Sequence, residues 1–345
     1  MKIFIDHQFT NIYNGEFANW IKNNIISVLQ SNNDVYVSKS QEDTQNTLSF
    51  TEFDFVIITG YDSITLASIN QKFKNTKTIS IIYDLNAEKM VELFPNNERL
   101  QDIIAFKSRL VFLCNHIVTL NDLTKNEIIG LYSGYENFGL TIKNKVTTVK
   151  NDFHFVTDDS ARLIKDKYIV IQDSINGLSM LVDDYIYILN SVKNQLEDFP
   201  DIKIVVLADN VHQSINYELA NNNMKHLFMF LKDISDKELV NLYKNSICTI
   251  FPSSFDTNID RILLAYSLNT ISIINPKNDI YLAAFEKEGI FYDETINLID
   301  IVRTIMRSNK QTKDNLRESQ NSGLLNYINK SDSTIQNILN KMIKQ

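Results

Sequence analysis

Cysteine is scarce in this sequence of 345 residues, which contains only Cys114 and Cys248. Each lies in an apolar run, "VFLCNHIV" and "SICTIF", and neither belongs to a Cys/His spacing that binds zinc. A disulfide framework like those of small secreted domains is therefore excluded. We expect two reduced thiols in the hydrophobic core.

Positive charge is also in short supply. The chain has 34 Lys and Arg against 42 Asp and Glu, a net charge of −8, and its pI is about 5.2. Neither half is basic, because residues 1–150 carry 14 basic and 16 acidic side chains and residues 151–345 carry 20 and 26. Binding to a nucleic-acid backbone needs many Lys and Arg contacts. The composition argues against nucleic acid as a partner.

Long apolar segments are missing as well. No run reaches the roughly 18 apolar residues that indicate a membrane-spanning helix, and "MKIFIDHQF" lacks the apolar centre of a signal peptide. The sequence therefore predicts a cytoplasmic protein. A peripheral position at a membrane is left open, although no basic amphipathic helix indicates one.

The sequence does contain a regular alternation of apolar runs and amphipathic segments. In the first half, "FDFVIITG" is typical of a strand buried on both faces, and "NERLQDIIAFKSRLVFLCN" has helical spacing. The alternation restarts at "DKYIVIQD", after the polar stretch "TDDSARLIK". Strands that alternate with helices predict parallel sheets covered on both faces. The expected class is α/β, with two Rossmann-like, doubly wound domains facing a cleft.

A chain of this length exceeds one typical core, so we place domain boundaries in the polar stretches. The predicted division is 1–160, 161–316 and a helical tail, 317–345. Ligands of such sheets bind outside the carboxyl ends of the strands, and with two domains the best site is the cleft between them.

The stretch from Tyr243 to Ile274, "YKNSICTIFPSSFDTNIDRILLAYSLNTISII", predicts a helix end, a strand, a Pro-Ser-Ser loop, a helix and a strand. This order resembles the donor-domain core of the GT-B glycosyltransferases, and most of all their family 4. The resemblance covers nearly the whole chain as a pattern of elements, and its motifs are weak. It implies a nucleotide-diphosphate sugar as donor, a glycan, lipid-linked or protein acceptor, and a C-terminal helix that crosses back onto the first domain. No metal is implied, because no Asp-x-Asp pair ends a strand, and we expect no other cofactor.

The resemblance assigns the donor site to the loop after Pro252 and to the next helix. Ser253 and Ser254 lie in the family's Pro-Ser loop, and Asp256 stands where the family has a first Glu that contacts the donor sugar. Leu264 replaces the second Glu, and leucine cannot accept hydrogen bonds from ribose hydroxyls. Asn258 replaces a turn glycine.

The family places an Arg and a Lys on the donor diphosphate. The corresponding stretch here reads "VIQDSINGLSMLVDD", and its only charged side chains are acidic. A departing diphosphate gains negative charge, so positive charge or oriented N–H groups are needed there. Arg261 is a substitute from the neighbouring helix, and so are the backbone N–H groups near Asn258. Gly15 in "YNGEFANW" matches one of the glycines that lie under the donor phosphates.

On the acceptor side, the family often ends a strand with His-Asp, and here the pair is Tyr83-Asp84. An inverting enzyme needs a general base, so Asp84 is the candidate catalytic residue. Asn151 matches a family turn after "KVTTVK", and His154 is a further candidate cleft residue.

Each assignment has a structural alternative. Asp256 could cap the next helix, Arg261 could form a surface ion pair, Asp84 could be a solvated loop residue, and His154 could pack between two Phe. The functions left open are an enzyme, a catalytically inactive GT-B protein that binds a glycosyltransferase or a glycosylated polypeptide, and another two-domain α/β protein such as a sugar-phosphate epimerase.

Overall fold

The computed structural model divides into two compact units, Met1–Asp152 with Ile328–Gln345, and Phe153–Tyr327. Helix Lys310–Ile328 runs across residue 316, where the sequence placed its second boundary. The residues that the structure describes are 1–9, 18, 20–60, 64–69, 73, 75–134, 142–149, 161–172, 188, 201–208, 213–221, 225–254, 256, 259–292, 298–328 and 333–344.

The first unit is built on a parallel sheet of six strands in the order β2-β1-β3-β4-β5-β6. These strands are β1 Lys2–Ile5, β2 Asp34–Val37, β3 Phe55–Ile58, β4 Lys77–Ile82, β5 His116–Thr119 and β6 Val146–Thr148. A π-helical segment, Ile21–Ile26, runs directly into helix α1. The described α-helices of this unit are α1 Ser27–Gln30, α2 Gln41–Phe50, α3 Ile64–Ser68, α4 Asn86–Leu93, α5 Glu98–Leu113, α6 Asp122–Tyr132, α7 Ile142–Lys145 and α14 Ile335–Lys344.

Successive side chains of strand β1 in the first sheet pack into different hydrophobic clusters. Ile3 and Ile5 of β1 belong to one hydrophobic cluster, whereas Phe4 between them belongs to another. Since side chains alternate across a strand, both faces of the sheet are covered. The first cluster also contains Ile335 and Ile338 of α14, so the last helix is part of the first unit's core.

The second unit contains another parallel sheet of six strands, in the order β12-β11-β10-β7-β8-β9. Its strands are β7 Lys167–Gln172, β8 Ile202–Leu207, β9 Phe228–Leu231, β10 Thr249–Phe251, β11 Ser272–Ile274 and β12 Ile290–Phe291. Its described helices are α8 Gln213–Asn221, α9 Asp236–Asn245, α10 Asp260–Ser267, α11 Asp279–Phe285, α12 Leu298–Arg307 and α13 Lys310–Ile328. The two sheets confirm the predicted α/β class with two Rossmann-like domains.

Local sequence signals explain several helix starts. Asn121 caps α6 by accepting a hydrogen bond from the Thr124 N–H at 2.7 Å. Ser235 and Glu238 form a capping box at α9, in which each side chain accepts from the other residue's backbone N–H. Asn and Ser are both favoured N-cap residues, because their side-chain oxygens accept from the first N–H groups of a helix. The two cysteines are buried and free, as predicted, and burial raises the pKa of each thiol to about 12.

Two glycines give a matched test of packing. A Cβ added to Gly289 would lie 2.6 Å from a ring carbon of Phe291 and 2.8 Å from the Phe285 carbonyl oxygen, whereas at Gly130 in α6 it would meet no atom within 4 Å. We expect Gly289→Ala to lower the free energy of unfolding by about 1–3 kcal/mol through overpacking. Gly130→Ala should raise it by roughly 0.5–1 kcal/mol, because alanine favours a helix. Urea denaturation of both variants checks this, and equal midpoints would contradict it.

Candidate functional site

Each sheet has a point where the strand order reverses. In the second unit β7 and β10 are neighbours, and the chain winds outward from them in opposite directions; in the first unit the same holds for β1 and β3. Crevices at the carboxyl ends of such strand pairs are the usual ligand sites of open α/β sheets. Each unit therefore has a candidate ligand site of its own at its switch point.

In the second unit, Asn278 holds the loop that follows β10. Its side-chain N–H₂ donates to the backbone carbonyls of Ser253 at 3.1 Å and Asp256 at 2.7 Å. Its side-chain oxygen accepts from the N–H groups of Ile280 and Tyr281, at 3.1 and 3.0 Å, and so caps α11. The buried side-chain amide of Asn278 therefore links the predicted donor loop to the start of α11.

A second asparagine and a serine complete this support. Asn275, directly after β11, donates to the Pro252 carbonyl at 2.6 Å. The Ser253 hydroxyl accepts from the Asp256 N–H at 3.1 Å. Ser253 and Asp256 are both buried, and Ser254 is half-buried. The described residues of this loop, 252–254 and 256, are thus tied to the neighbouring strand end and helix by hydrogen bonds.

The Asp256 side chain is part of a buried polar group. The Tyr281 hydroxyl donates a hydrogen bond to it, and the pKa of Tyr281 is well above its usual value because of burial, the charge and hydrogen bond of Asp256, and the nearby Tyr243. Tyr243 in turn donates to Gln172 Oε1, at the end of β7, at 2.5 Å. Ile259, not Asp256, occupies the N-cap of α10, so the capping alternative does not apply.

The remaining predicted donor residues fall in different places. Arg261 lies in the first turn of α10 and is half-buried. Leu264 is buried in the same helix, so this position offers apolar surface where the family has an acid. Gly15, Asn258, Asn151 and His154 lie outside the described residues, and their roles stay predictions.

In the first unit, Tyr83 and Asp84 follow β4 and both are buried. Tyr83 belongs to the hydrophobic cluster that also holds α14. Asp84 contacts Lys107 of α5, a fully buried lysine whose ammonium donates to the Asp84 carbonyl at 2.9 Å and lies 3.5 Å from its Oδ1. The Asp84 carboxylate also accepts from the Asn86 N–H at 3.1 Å. Asp84 is thus a buried ion-pair partner, an arrangement that differs from both a solvated loop residue and an open base.

Lys107 has a second acidic partner, since its ammonium also donates to Glu88 Oε2 at 2.8 Å. Burial raises the pKa of Glu88, the positive charge of Lys107 opposes that rise, and Asp84 adds to it. Sequence reasoning missed Lys107. A signal was present, because it occupies the apolar stripe of α5 with Leu100 and Leu110, at helical spacing.

The switch point of the first unit holds Asp6, which is fully buried directly after β1. Its carboxylate accepts from the N–H of Thr59 at 3.0 Å, from the Thr59 hydroxyl, and from the Thr65 hydroxyl at 3.2 Å. Burial raises the pKa of Asp6 to about 6, and these hydrogen bonds limit the rise. The sequence offered no reason to choose Asp6 over other acids at strand ends.

The described part of the chain has neither a cluster of metal-ligating side chains nor a membrane-spanning helix. Among those residues, no group of three or more His, Cys, Asp and Glu could hold a metal ion. No helix there is long and apolar enough to cross a bilayer.

Comparisons with known proteins place this fold. No protein-family model matches the chain, and no curated protein matches its sequence. HepE from Anabaena, in complex with UDP-glucose, matches with 11% identity and a TM-score of 0.65 over 100% of this chain and 98% of that one. Sucrose-phosphate synthase from Thermosynechococcus elongatus matches with 7% identity and a TM-score of 0.64 over 100% and 98%. A Listeria monocytogenes protein described as a UDP-N-acetylglucosamine 2-epimerase matches with 10% identity and a TM-score of 0.59 over 99% and 94%.

These likenesses show the fold. They confirm the resemblance to the GT-B glycosyltransferases at the level of two Rossmann-like domains. Membership of family 4 stays a prediction.

The buried ion pairs of Lys107 with Asp84 and Glu88 allow a stability test. Replacing Lys107 by Met leaves buried carboxylates without their cation, and we expect a loss of about 3–5 kcal/mol in the free energy of unfolding. The loss should shrink as the pH falls, because protonation removes the unpaired charge. The control is Lys89→Met, which breaks a half-exposed pair with Glu127 at 3.3 Å and should cost less than about 1 kcal/mol. Equal losses in both variants would show that Lys107 is not structural.

The buried Asp6 leads to a prediction about how the free energy of unfolding depends on pH. Because the pKa of about 6 lies above the ordinary 3.8, the fold favours the neutral acid. The stability that this adds is complete below about pH 4 and is lost as the pH rises through about 6. Relative to Asp6→Asn, the wild type should lose about 3 kcal/mol between pH 4 and pH 7.

Asp43→Asn is the control of opposite sign. The pKa of Asp43 is lowered from 3.8, mainly by the hydrogen bond from Tyr36, so its contribution is lost as the pH falls below about 4. Between pH 4 and pH 7 the gap between wild type and Asp43→Asn should therefore change little. Denaturation of the three proteins across this pH range makes the comparison. A gap between wild type and Asp6→Asn that does not change with pH would contradict the assignment.

Proposed function

We propose that the chain is a glycosyltransferase that moves a sugar from a nucleotide-diphosphate donor to a glycan, lipid-linked or protein acceptor. The observation that carries this proposal is the loop Pro252–Asp256, which Asn275 and Asn278 hold at the switch point of the second sheet. A fixed polar loop at this position suits a nucleotide-sugar site. The full-length likeness to HepE, whose complex contains UDP-glucose, makes a UDP-sugar the first donor to test.

In this proposal the donor binds between the loop and the first turn of α10. Ser253 and Ser254 contact the sugar or phosphate, while Arg261 and the N–H groups near Asn258 stabilise the diphosphate as its charge grows. Asp256 supports the loop through Tyr281. The family resemblance adds Gly15 as a further proposed phosphate contact.

The acceptor side is assigned to the first unit. Asp84 is proposed as general base, with Tyr83, Asn151 and His154 as neighbours of the acceptor. The ammonium of Lys107 lies 3.5 Å from Asp84 Oδ1, so the proposed base is held in place by a buried ion pair.

A second candidate function is a GT-B protein without catalysis that binds a glycosyltransferase or a glycosylated polypeptide. Two observations favour it. The carboxylate of Asp84 is already engaged by Lys107 and the Asn86 N–H, and the buried Leu264 replaces an acid that would hold the ribose.

Thermal unfolding with a panel of UDP-, GDP-, dTDP- and CMP-sugars tests the donor site. Ligand at 100 times Kd stabilises the folded state by about 2.7 kcal/mol, and each kcal/mol raises Tm by roughly 2–4 °C in a protein of this size. We expect a rise of several degrees with one nucleotide class. Arg261→Met should reduce that rise because it removes the proposed phosphate contact.

Ser267→Ala serves as the control, since Ser267 lies at the other end of α10 and bonds only locally, to the Leu264 carbonyl at 2.7 Å. It should leave the rise unchanged. Release of free nucleotide with an acceptor then separates the two functions, and Asp84→Asn should abolish release while keeping the thermal shift. No shift with any donor at millimolar concentration would rule out the glycosyltransferase proposal and favour the non-catalytic one.

A further inference from the structure

Exposed apolar side chains lie at the amino-terminal edge of the first sheet, where its strands begin. Leu113 is the last residue of α5, shortly before β5, and it is 65% exposed. Ile343 lies near the end of α14 and is 53% exposed. It reaches the same edge because Lys77, the first residue of β4, donates from its ammonium to the carbonyl of the neighbouring Met342. Two large apolar side chains thus face solvent at adjacent strand starts, at the edge opposite to the candidate site of this unit.

Lysine side chains accompany both of these apolar residues. Lys77 lies beside Ile343 through the hydrogen bond just described. The ammonium of Lys145, directly before β6, donates to the carbonyl of Cys114 at 3.3 Å, next to Leu113. The strand starts of β4, β5 and β6 therefore combine apolar surface with positive charge.

The environment of His116, the first residue of β5, shows further positive charge close by. Burial lowers the pKa of His116 to about 4, and the charges of Lys341 and Lys145 add to this effect. Both lysines must lie near the ring to act on it. The ring is neutral at neutral pH, so the positive charge in this area comes from lysine side chains.

No acid offsets these lysines within the segments that form the area. The described segments 75–77, 113–116, 142–147 and 335–344 contain no Asp or Glu. Their charged side chains are Lys77, Lys143, Lys145, Lys341 and Lys344. Because the whole chain has a net charge of −8, this excess of positive charge is a local feature of one edge.

We propose that this area, the lysine edge (Lys77, Leu113, Lys145, Lys341 and Ile343), docks the protein on an anionic membrane surface. The ammonium groups lie among the lipid headgroups, and the two apolar side chains insert at the boundary with the acyl chains. The lysine edge is assembled from separate segments, which is why no basic amphipathic helix in the sequence indicates it. The proposal does not depend on the reaction assigned above.

Charge complementarity selects an anionic bilayer over other occupants. In a two-fold contact between copies the same patch faces itself, so the lysines of two copies would repel each other. A nucleic acid would pair with the ammonium groups but would leave Leu113 and Ile343 in water. An anionic bilayer satisfies both kinds of side chain. The rest of the chain is acidic and is repelled by such a surface, which orients the lysine edge toward it.

Co-sedimentation of the full chain with lipid vesicles tests the charged part of the lysine edge. Vesicles of phosphatidylcholine and phosphatidylglycerol in equal amounts should bind the protein at least tenfold more tightly than vesicles of phosphatidylcholine alone. Each lysine near an anionic surface strengthens binding by about fivefold, so Lys341→Glu, which reverses one charge, should weaken binding roughly 30-fold. Lys237→Glu on α9 is the matched control, since Lys237 is also exposed but lies in the second unit. It should leave the affinity within about twofold.

The apolar part is tested at Leu113 and Ile343. Leu113→Ser should weaken binding roughly tenfold, because it removes an inserted side chain. Leu325→Ser on α13 is the control, with 61% exposure at the native residue, and should have no effect. An environment-sensitive fluorophore on Ile343→Cys should brighten with the anionic vesicles, and the native cysteines are buried and do not compete for the label.

Three results would overturn the proposal. One is a wild type that binds the anionic vesicles no better than phosphatidylcholine vesicles. Another is an equal loss of binding in Lys237→Glu and Lys341→Glu, which would show that net charge alone matters. The third is a dimer in the absence of vesicles, seen by sedimentation velocity, that Leu113→Ser dissociates. That result would assign the lysine edge to a second copy of this chain.

Discussion

Both sheets are parallel and covered on both faces, and this constraint determines where polar chemistry can lie. A strand such as Phe55–Ile58 is buried along its whole length, so it has no exposed face for a functional group. Only the strand ends remain. There the chain leaves the sheet, and the backbone groups released from the ladder need partners. Asn275 and Asn278 provide them in the second unit and Asp6 in the first. The need to pair these backbone groups therefore places polar side chains at the strand ends, where the candidate sites lie.

Three acids at these strand ends are buried, and their partners differ. Asp6 is held by hydroxyl and amide groups, Asp84 by the ammonium of Lys107, and Asp256 by the phenol of Tyr281. Each donor belongs to another segment of the same unit, so each acid links its strand end to a neighbouring part of the fold.

The strength of each local signal explains what the sequence could predict. Clear apolar patterns mark the strands rich in Ile and Val and the long helix α5. Clear capping residues, Asn121 and Ser235, mark the starts of α6 and α9, and the structure contains all of these elements. Helix α2, "QEDTQNTLSF", was not predicted because its only buried apolar side chain is Leu48; the Ser40 cap and tertiary packing define it instead. Asn278 could not be recognised as the support of the donor loop, since its partners lie 22 and 25 residues earlier in the chain. Contacts of that range leave no periodic trace in a sequence.

The burial of α10 limits which of its side chains could bind a donor at the proposed site in the second unit. Five consecutive residues, Ile262–Tyr266, are buried, so this helix is apolar around its whole circumference beyond the first turn. An acid at Leu264 would then lie in the core without a solvated surface and would need a buried partner. Asp260 and Arg261, two half-buried residues of opposite charge, are the charged side chains of this helix. In the proposed glycosyltransferase, donor recognition would depend on the loop and on that first helical turn, which is a smaller set of polar groups than the family pattern provides.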